Sequence, residues 1–180
     1  MVGYLAHFTH FNIKLCVNKP DLSCFDSKIK IDSSKSVYAE HKEEIPKDAP
    51  KPFGKQVSFH YYDANPMHDA LSGKAITGSI HFANKTPLIL FSKRQTTSQK
   101  ATHGSEFIAG RTVLEQAVDL HPSLRYLDVP INNVSYYVFG NNASMVNKSS
   151  YHYARLHKRR NIPSFHCARS VIATGAFVMH

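Results

Sequence analysis

The stretch VSFHYYDAN, residues 57–65, decides how this chain is interpreted. Val57, Phe59 and Tyr61 recur at every second position, a pattern that is typical of a β-strand with one buried face. Asp63 interrupts this run, because aspartate is a poor strand former. A carboxylate at the end of such a strand either terminates it or belongs to a site. Which interpretation applies depends on whether other residues of the chain can form a site together with Asp63.

Two more strands are predicted directly after the first. The segment 76–84 places Ile80 and Phe82 at alternate positions, and the segment 86–94 is rich in apolar residues. The connection between them, around Lys85, is very short. We therefore expect the second and third strands to form an antiparallel hairpin.

The second half of the chain is predicted to alternate between helices and strands. Apolar residues recur at helical spacing between Phe107 and Leu120. We expect Thr102 or Ser105 to cap the start of this helix and Pro122 to end it. The remaining predicted elements are a strand at 134–140, a short helix or turn that opens at Asn141, a helix that starts or is interrupted near Pro163, and the beginning of a last strand at 177–180.

The order of these elements predicts an α/β fold at 57–180, with a mixed sheet whose first three strands are antiparallel and which is flanked by helices. Residues 1–56 have a different composition. A short strand fits at 11–17, whereas 26–56 combine many charges with three prolines, which exclude a helix interior and a core. We therefore predict a connecting segment and a charged, proline-rich linker at 1–56.

The composition indicates a folded, basic protein. Of its 180 residues, 42% are hydrophobic, and the formal net charge of +9 favours a polyanionic partner such as nucleic acid. No apolar run is long enough to span a membrane, and the N-terminal residues lack the features of a secretory signal. We expect an intracellular protein, cytoplasmic or nuclear, with no membrane partner. The three cysteines lack zinc-ligand spacing and are expected to be free thiols.

Three polar positions are expected to converge on one edge of the sheet. Asp63 ends the first strand, Glu106 lies in the first turn of the long helix, and Asn141 ends the fourth strand. Carboxylates there would suit magnesium, and two ions ~3.5–4 Å apart would support phosphodiester hydrolysis. Ordinary structural explanations exist as well. Asp63 can cap a turn, and Glu106 is favoured by the helix dipole.

Several separate motifs resemble the ribonuclease H region of copia-type retrotransposon polyproteins, together with the segment that connects it to the reverse transcriptase. The resemblance extends over residues 3–180, and its motifs follow the family's order. These motifs are YYDANPMHD (61–69), KAITGSIHF (74–82), FSKRQTTSQKATHGSEFIAGR (91–111), LRYLDVPI (124–131), VFGNNASMVNKSS (138–150) and LHKRRNIPSFHCAR (156–169).

The resemblance implies a ribonuclease H-like fold and metal-dependent hydrolysis of the RNA strand in RNA–DNA hybrids. The family uses four acids. The first two fall on Asp63 and Glu106. The third falls on Asn141, because the family has Gly-Asp-Asn where this chain has Gly-Asn-Asn. The fourth would lie beyond His180, so we expect a C-terminally truncated fold.

These departures imply a degenerate active site. Asn141 keeps the shape of aspartate but lacks its charge, which leaves Asp63 and Glu106 as metal ligands. We expect one weakly bound Mg²⁺ or Mn²⁺, and hydrolysis that is absent or much reduced. The family also has Arg-His-Asn at 159–161 and a helix former at Pro163, where proline inside a helix costs ~3 kcal/mol.

Clustered basic side chains are candidate contacts to backbone phosphates. The expected partners are an RNA–DNA hybrid or another nucleic acid, bound by shape and charge, and a reverse transcriptase domain supplied elsewhere. Three hypotheses stay open: a ribonuclease H-like domain with weakened catalysis, a non-catalytic nucleic-acid-binding module, and a non-functional remnant. The basic residues are Lys93, Arg94, Arg155, Lys158, Arg159 and Arg160.

Overall fold

A computed structural model describes most of the chain from Ile45 onward. The described residues are 18, 21, 38, 45–69, 71–99, 102–132, 136–151, 154–155 and 161–180, without the side chains of 67–69. In chain order the elements are β1 Ser58–Asp69, β2 Lys74–Ala83, β3 Thr86–Ser98, α1 Thr102–Tyr126, β4 Tyr136–Gly140, α2 Ala143–Ser150, α3 Ile162–Ala173 and β5 Phe177–Met179.

The five strands form one mixed sheet in the order β3-β2-β1-β4-β5. β1 and β2 are antiparallel, as are β2 and β3. β1 and β4 are parallel, as are β4 and β5. This arrangement confirms the predicted α/β fold with three antiparallel strands at its start. Because β1 and β4 run in the same direction, the residues that follow their pairing meet at one edge of the sheet.

Asn84 fixes the hairpin between β2 and β3. Its φ of 52° is left-handed, a conformation that asparagine adopts more readily than most residues. The Asn84 N–H donates to the Val57 carbonyl at 2.8 Å, and the Asn84 Oδ1 accepts from the Val57 N–H at 3.0 Å. The turn is therefore tied to the residue before β1, which secures the register of the first three strands.

All three helices contribute to one core on one face of the sheet. Tyr62 of β1 and Val138 of β4 are buried there against Phe107 of α1, Met145 of α2 and Phe165 of α3. Successive strand residues point to opposite faces. The opposite face of the sheet is therefore left without a helix among the described residues.

The long helix differs from its predicted boundaries. α1 begins at Thr102, so Ser105 lies inside it, with its hydroxyl donating to the Thr102 carbonyl at 2.7 Å. Pro122 does not end the helix, which continues to Tyr126. A proline removes a single backbone donor, and packing of the buried Leu124 holds the last turn in place.

The predicted penalty at Pro163 does not apply. α3 begins at Ile162, so the proline occupies its first turn. A missing N–H costs nothing there, because the first N–H groups of a helix have no partner within it. The predicted helix near Pro163 and the predicted last strand, β5, are both present.

A buried histidine pair joins β1 to β2. The Nδ1 atoms of His60 and His81 lie 2.8 Å apart, and His81 Nε2 lies 3.0 Å from Gln116 Oε1. Because an amide oxygen only accepts, this pattern assigns the His81 proton to Nε2, and His60 Nδ1 then donates to His81 Nδ1. Burial, with the neighbouring His81 and His121, lowers the pKa of His60 to about 3.

The residues before β1 contact the connection that follows α1. The Gly54 N–H donates to the Ile131 carbonyl at 2.8 Å, and Gln56 forms a parallel bridge with Ile131. The division of the chain after residue 56 stays a prediction, and the strand predicted at 11–17 lies outside the described residues. Within the described residues, no helix has the length and hydropathy that crossing a bilayer requires.

Candidate active site

Asp63 lies within β1 and not at its end, so its predicted position was wrong. β1 pairs with β4 only as far as Tyr62, which is opposite Gly140, and then continues to Asp69 against β2 alone. β2 supports β1 beyond the last residue of β4, which is why the aspartate does not end the strand. Asp63 is the first β1 residue past β4, and it is exposed. A turn-capping role does not explain it.

Asn141 directly follows β4 and contacts Asp63, as the sequence predicted. Its Nδ2 donates to Asp63 Oδ1 at 2.8 Å. Gly140, which precedes Asn141, lets the end of β4 lie against the Tyr62 ring, because a Cβ atom there would clash with that ring. A neutral donor therefore satisfies an oxygen of Asp63 at the position where the resemblance implies a carboxylate.

Glu106 lies in the second turn of α1, not in the first, because the helix begins at Thr102. The helix dipole acts on the first turn, so it does not explain this acid. Glu106 is only 2% exposed, and its Oε2 has no hydrogen-bond partner among the described residues. Burial and the charge of Asp63 raise its pKa to about 7, whereas a hydrogen bond from the Ala64 backbone lowers it.

Tyr62 supports the site from the core side, a role that the sequence did not predict. Its hydroxyl donates to Met145 Sδ at 2.8 Å. Burial, and then the charge of Glu106, raise the pKa of the Tyr62 phenol, which stays protonated. Its place in an alternating apolar run indicated only a buried strand residue.

The ligand chemistry of Asp63 and Glu106 suits at most one divalent cation. Asp63 and Glu106 offer hard oxygen ligands, and the unpartnered Oε2 of Glu106 is a buried oxygen that a cation would satisfy. Across the described ranges, no group of three or more His, Cys, Asp or Glu residues is placed to hold a metal ion. The amide of Asn141 also competes for Asp63, which lowers the expected affinity.

The structure places part of the predicted basic cluster near this site. Lys93 and Arg94 are exposed on β3. They follow Ser92, which is opposite Gly78 of β2, and Gly78 is opposite Asp63. Two strand spacings, about 10 Å, therefore separate β3 from the acid. Arg155 is also exposed, whereas Lys158, Arg159 and Arg160 lie outside the described residues.

A polar recess at the start of α3 was not predicted. It has a volume of about 540 Å³ and is lined by the end of β3, by α1 and by Asn161 and Ser164. Asn161 is 3% exposed, and its Nδ2 has no acceptor among the described residues. The Asn-Ile-Pro sequence signalled a helix start, but only the packing of α3 places this donor opposite β3.

The chain is similar to solved ribonucleases H. An N-terminal RNase H domain from Mycobacterium tuberculosis is 12% identical, with a TM-score of 0.52 over 70% of this chain and 81% of that one. RNase H1 from Halobacterium salinarum is 11% identical, with a TM-score of 0.50 over 68% and 81%. LC11-RNase H1, solved with an RNA/DNA hybrid, is 14% identical, with a TM-score of 0.50 over 68% and 83%.

These similarities concern the fold. Neither a protein-family model nor a curated protein matches the sequence. The mixed five-stranded sheet and its flanking helices nevertheless match the RNase H structures over most of their length. The chain therefore has a ribonuclease H-like fold.

Proposed function

We propose that this chain is a nucleic-acid-binding domain that derives from a copia-type retrotransposon ribonuclease H and whose hydrolytic activity is absent or much reduced. The hydrogen bond from Asn141 to Asp63 carries the proposal. It engages an Asp63 oxygen with a neutral donor, where a third carboxylate would add charge for metal binding. The ordered sequence motifs support the retrotransposon origin, which also implies a separately supplied reverse transcriptase domain as a partner.

Asp63 and Glu106 would hold the single cation that the donor set fits. Such a cation, Mg²⁺ or Mn²⁺, would supply charge stabilisation to a phosphodiester and acidify a bound water. Glu106 must lose its proton before it binds a cation, and its pKa of about 7 makes this loss incomplete near neutral pH. We therefore expect weak cation binding that strengthens as the pH rises above 7.

The binding role rests on charge and on exposed donors. The formal net charge is +9, and Lys93 and Arg94 are exposed on β3, at the same level of the sheet as the acids. The recess adds exposed hydroxyl groups at the end of β3 that can donate to a phosphate. Such contacts bind the backbone of a hybrid and do not read its sequence.

A cleavage assay tests the loss of activity. A labelled RNA–DNA hybrid is incubated with the protein and Mg²⁺ or Mn²⁺, with Asp63→Ala as the matched control. We expect no metal-dependent cleavage above that control. The Asn141→Asp variant should recover little activity, because it supplies three of the four acids that the resemblance implies. Robust cleavage by the unmodified chain that Asp63→Ala abolishes would contradict the proposal.

A binding assay separates a functional module from a remnant. The same hybrid should bind with an affinity that falls steeply as salt rises, because binding releases counterions from the phosphates. The double variant Lys93→Ala/Arg94→Ala should bind more weakly and with a shallower salt dependence. Non-cooperative thermal unfolding, together with no binding, would favour a non-functional remnant.

A further inference from the structure

The sheet face opposite the helices carries an apolar groove beside Asp63. It has a volume of about 850 Å³ and crosses the three antiparallel strands. Two cross-strand rows form it, and each row takes one residue from β1, β2 and β3. We call it the open-face groove and define it by the side chains of Tyr61, Ile80 and Leu90 in one row and Asp63, Gly78 and Ser92 in the other.

Gly78 leaves the centre of the groove open. A Cβ atom added there would meet no atom within 4 Å. The side chains of the neighbouring row project further into solvent, and Tyr61 is 45% exposed and Leu90 68% exposed. The groove therefore combines a flat floor with large apolar groups that face solvent, which suits a flat apolar ligand.

Aromatic neighbours hold Tyr61 in place. Its ring stacks on Phe139 with centroids 4.8 Å apart and meets the edge of Phe82 at 5.8 Å. Phe139 stacks in turn on His180 at 5.5 Å. An exposed ring that is fixed in this way loses little conformational entropy when another ring stacks on it.

The charges around the groove favour a polyanion. β2 and β3 contain no acid, and their basic residues are Lys74, Arg94 and Lys93, of which Lys93 alternates to the helix face. By strand alternation Arg94 follows Ser92 on the open face. A second copy of this basic chain would bring like charges together. Because Asp63 is the one acid among the described residues that line the groove and it lies on β1, an anion fits at the β3 side of the groove.

We propose that the open-face groove binds the unpaired bases of single-stranded nucleic acid. Bases stack on Tyr61 and pack against Leu90, while Arg94 contacts the phosphates. Asp63 can accept a hydrogen bond from a base N–H. Duplex bases are already stacked on one another and do not enter. The apolar row of Tyr61 and Leu90 therefore distinguishes this site from hybrid binding, whereas Asp63 and Arg94 are shared with the function proposed above.

Fluorescence anisotropy with two single-stranded probes tests the proposal. One probe is a labelled dodecamer of deoxythymidine, and the other is a dodecamer of the same length without bases. Unmodified protein should bind the base-containing strand on the order of tenfold more tightly, the range that stacking of a base on an aromatic ring provides. The variants Tyr61→Ala and Leu90→Ser should remove most of this difference, and a matching RNA strand should behave like DNA.

The control is Tyr126→Ala, which removes a tyrosine of similar exposure, 48%, outside the groove. It should leave the difference between the two probes unchanged, and all variants should bind the RNA–DNA hybrid as the unmodified protein does. Equal binding of both probes by unmodified protein would overturn the proposal, whether or not the hybrid binds. A concentration-dependent dimer that Leu90→Ser dissolves would also overturn it, because a second copy would then occupy the groove.

Discussion

His60 should make the stability of this protein fall steeply in acid. Its imidazole is 1% exposed and donates to His81, and its pKa is lowered from 6.5 to about 3, first by burial and then by His81 and His121. The unfolded chain takes up this proton near pH 6.5, whereas the folded chain resists it until near pH 3. Folding stability is therefore present above pH 6.5 and is lost as the pH falls.

The size of this loss follows from the two pKa values. Between pH 7 and pH 4.5, linkage gives a loss of about 2.5 kcal/mol in the free energy of unfolding from His60 alone. Glu106 acts in the opposite direction, because folding raises its pKa from 4.5 to about 7. Over the same interval its contribution grows as the pH falls, by about 1 to 2 kcal/mol after screening by the solvent around Asp63.

Two variants separate these opposing contributions. His60→Asn keeps an amide donor near the position of Nδ1 but does not titrate. Urea unfolding followed by circular dichroism at pH 7 and pH 4.5 should show that it has lost about 2.5 kcal/mol of the acid sensitivity. Glu106→Gln should increase the acid sensitivity instead. His166→Asn, which removes an exposed imidazole, is the matched control. If His60→Asn keeps the acid sensitivity of the unmodified protein, the reasoning about the buried pair is refuted.

Variants at three further positions test the packing, each by urea unfolding. Asn84→Ala should lose about 1–3 kcal/mol, because it leaves the Val57 N–H without its acceptor and strains the left-handed turn, and Asn84→Gly, which tolerates that φ, should lose less. An equal loss in both would show that the backbone conformation is unimportant. Met145→Ala should lose about 2–5 kcal/mol through a cavity under Tyr62, and a loss below about 1 kcal/mol would mean that the core collapses around it. Pro122→Ala should gain about 1 kcal/mol by restoring a helix hydrogen bond, whereas a loss would indicate that the proline ring packs favourably.

The sheet was predictable because its signals are local. Alternating apolar residues and a short connection predict that β2 and β3 form a hairpin. The structure adds which residues of the two strands lie opposite one another. The meeting of Asp63 with Asn141 was also predictable, because both follow the pairing of parallel strands. The buried pair of His60 and His81 was not, since the two become neighbours only through the register of β1 against β2.

Features that depend on packing between distant elements could not be predicted. The position of Glu106 in its helix depends on where α1 begins, and a sequence that offers both Thr102 and Ser105 as caps leaves that point open. The continuation of α1 past Pro122 depends on the burial of Leu124. In the same way, the recess at Asn161 exists because α3 packs opposite β3.

The amide of Asn141 changes what the acidic edge of the sheet needs from its surroundings. Neighbouring carboxylates repel one another, and a bound cation usually offsets that repulsion. Here the amide donates to Asp63 from within the chain, and Glu106, whose pKa is raised to about 7, relieves the remaining repulsion by keeping its proton as the pH falls below 7. Below neutral pH the folded state therefore needs no cation to relieve the repulsion at this edge of the sheet.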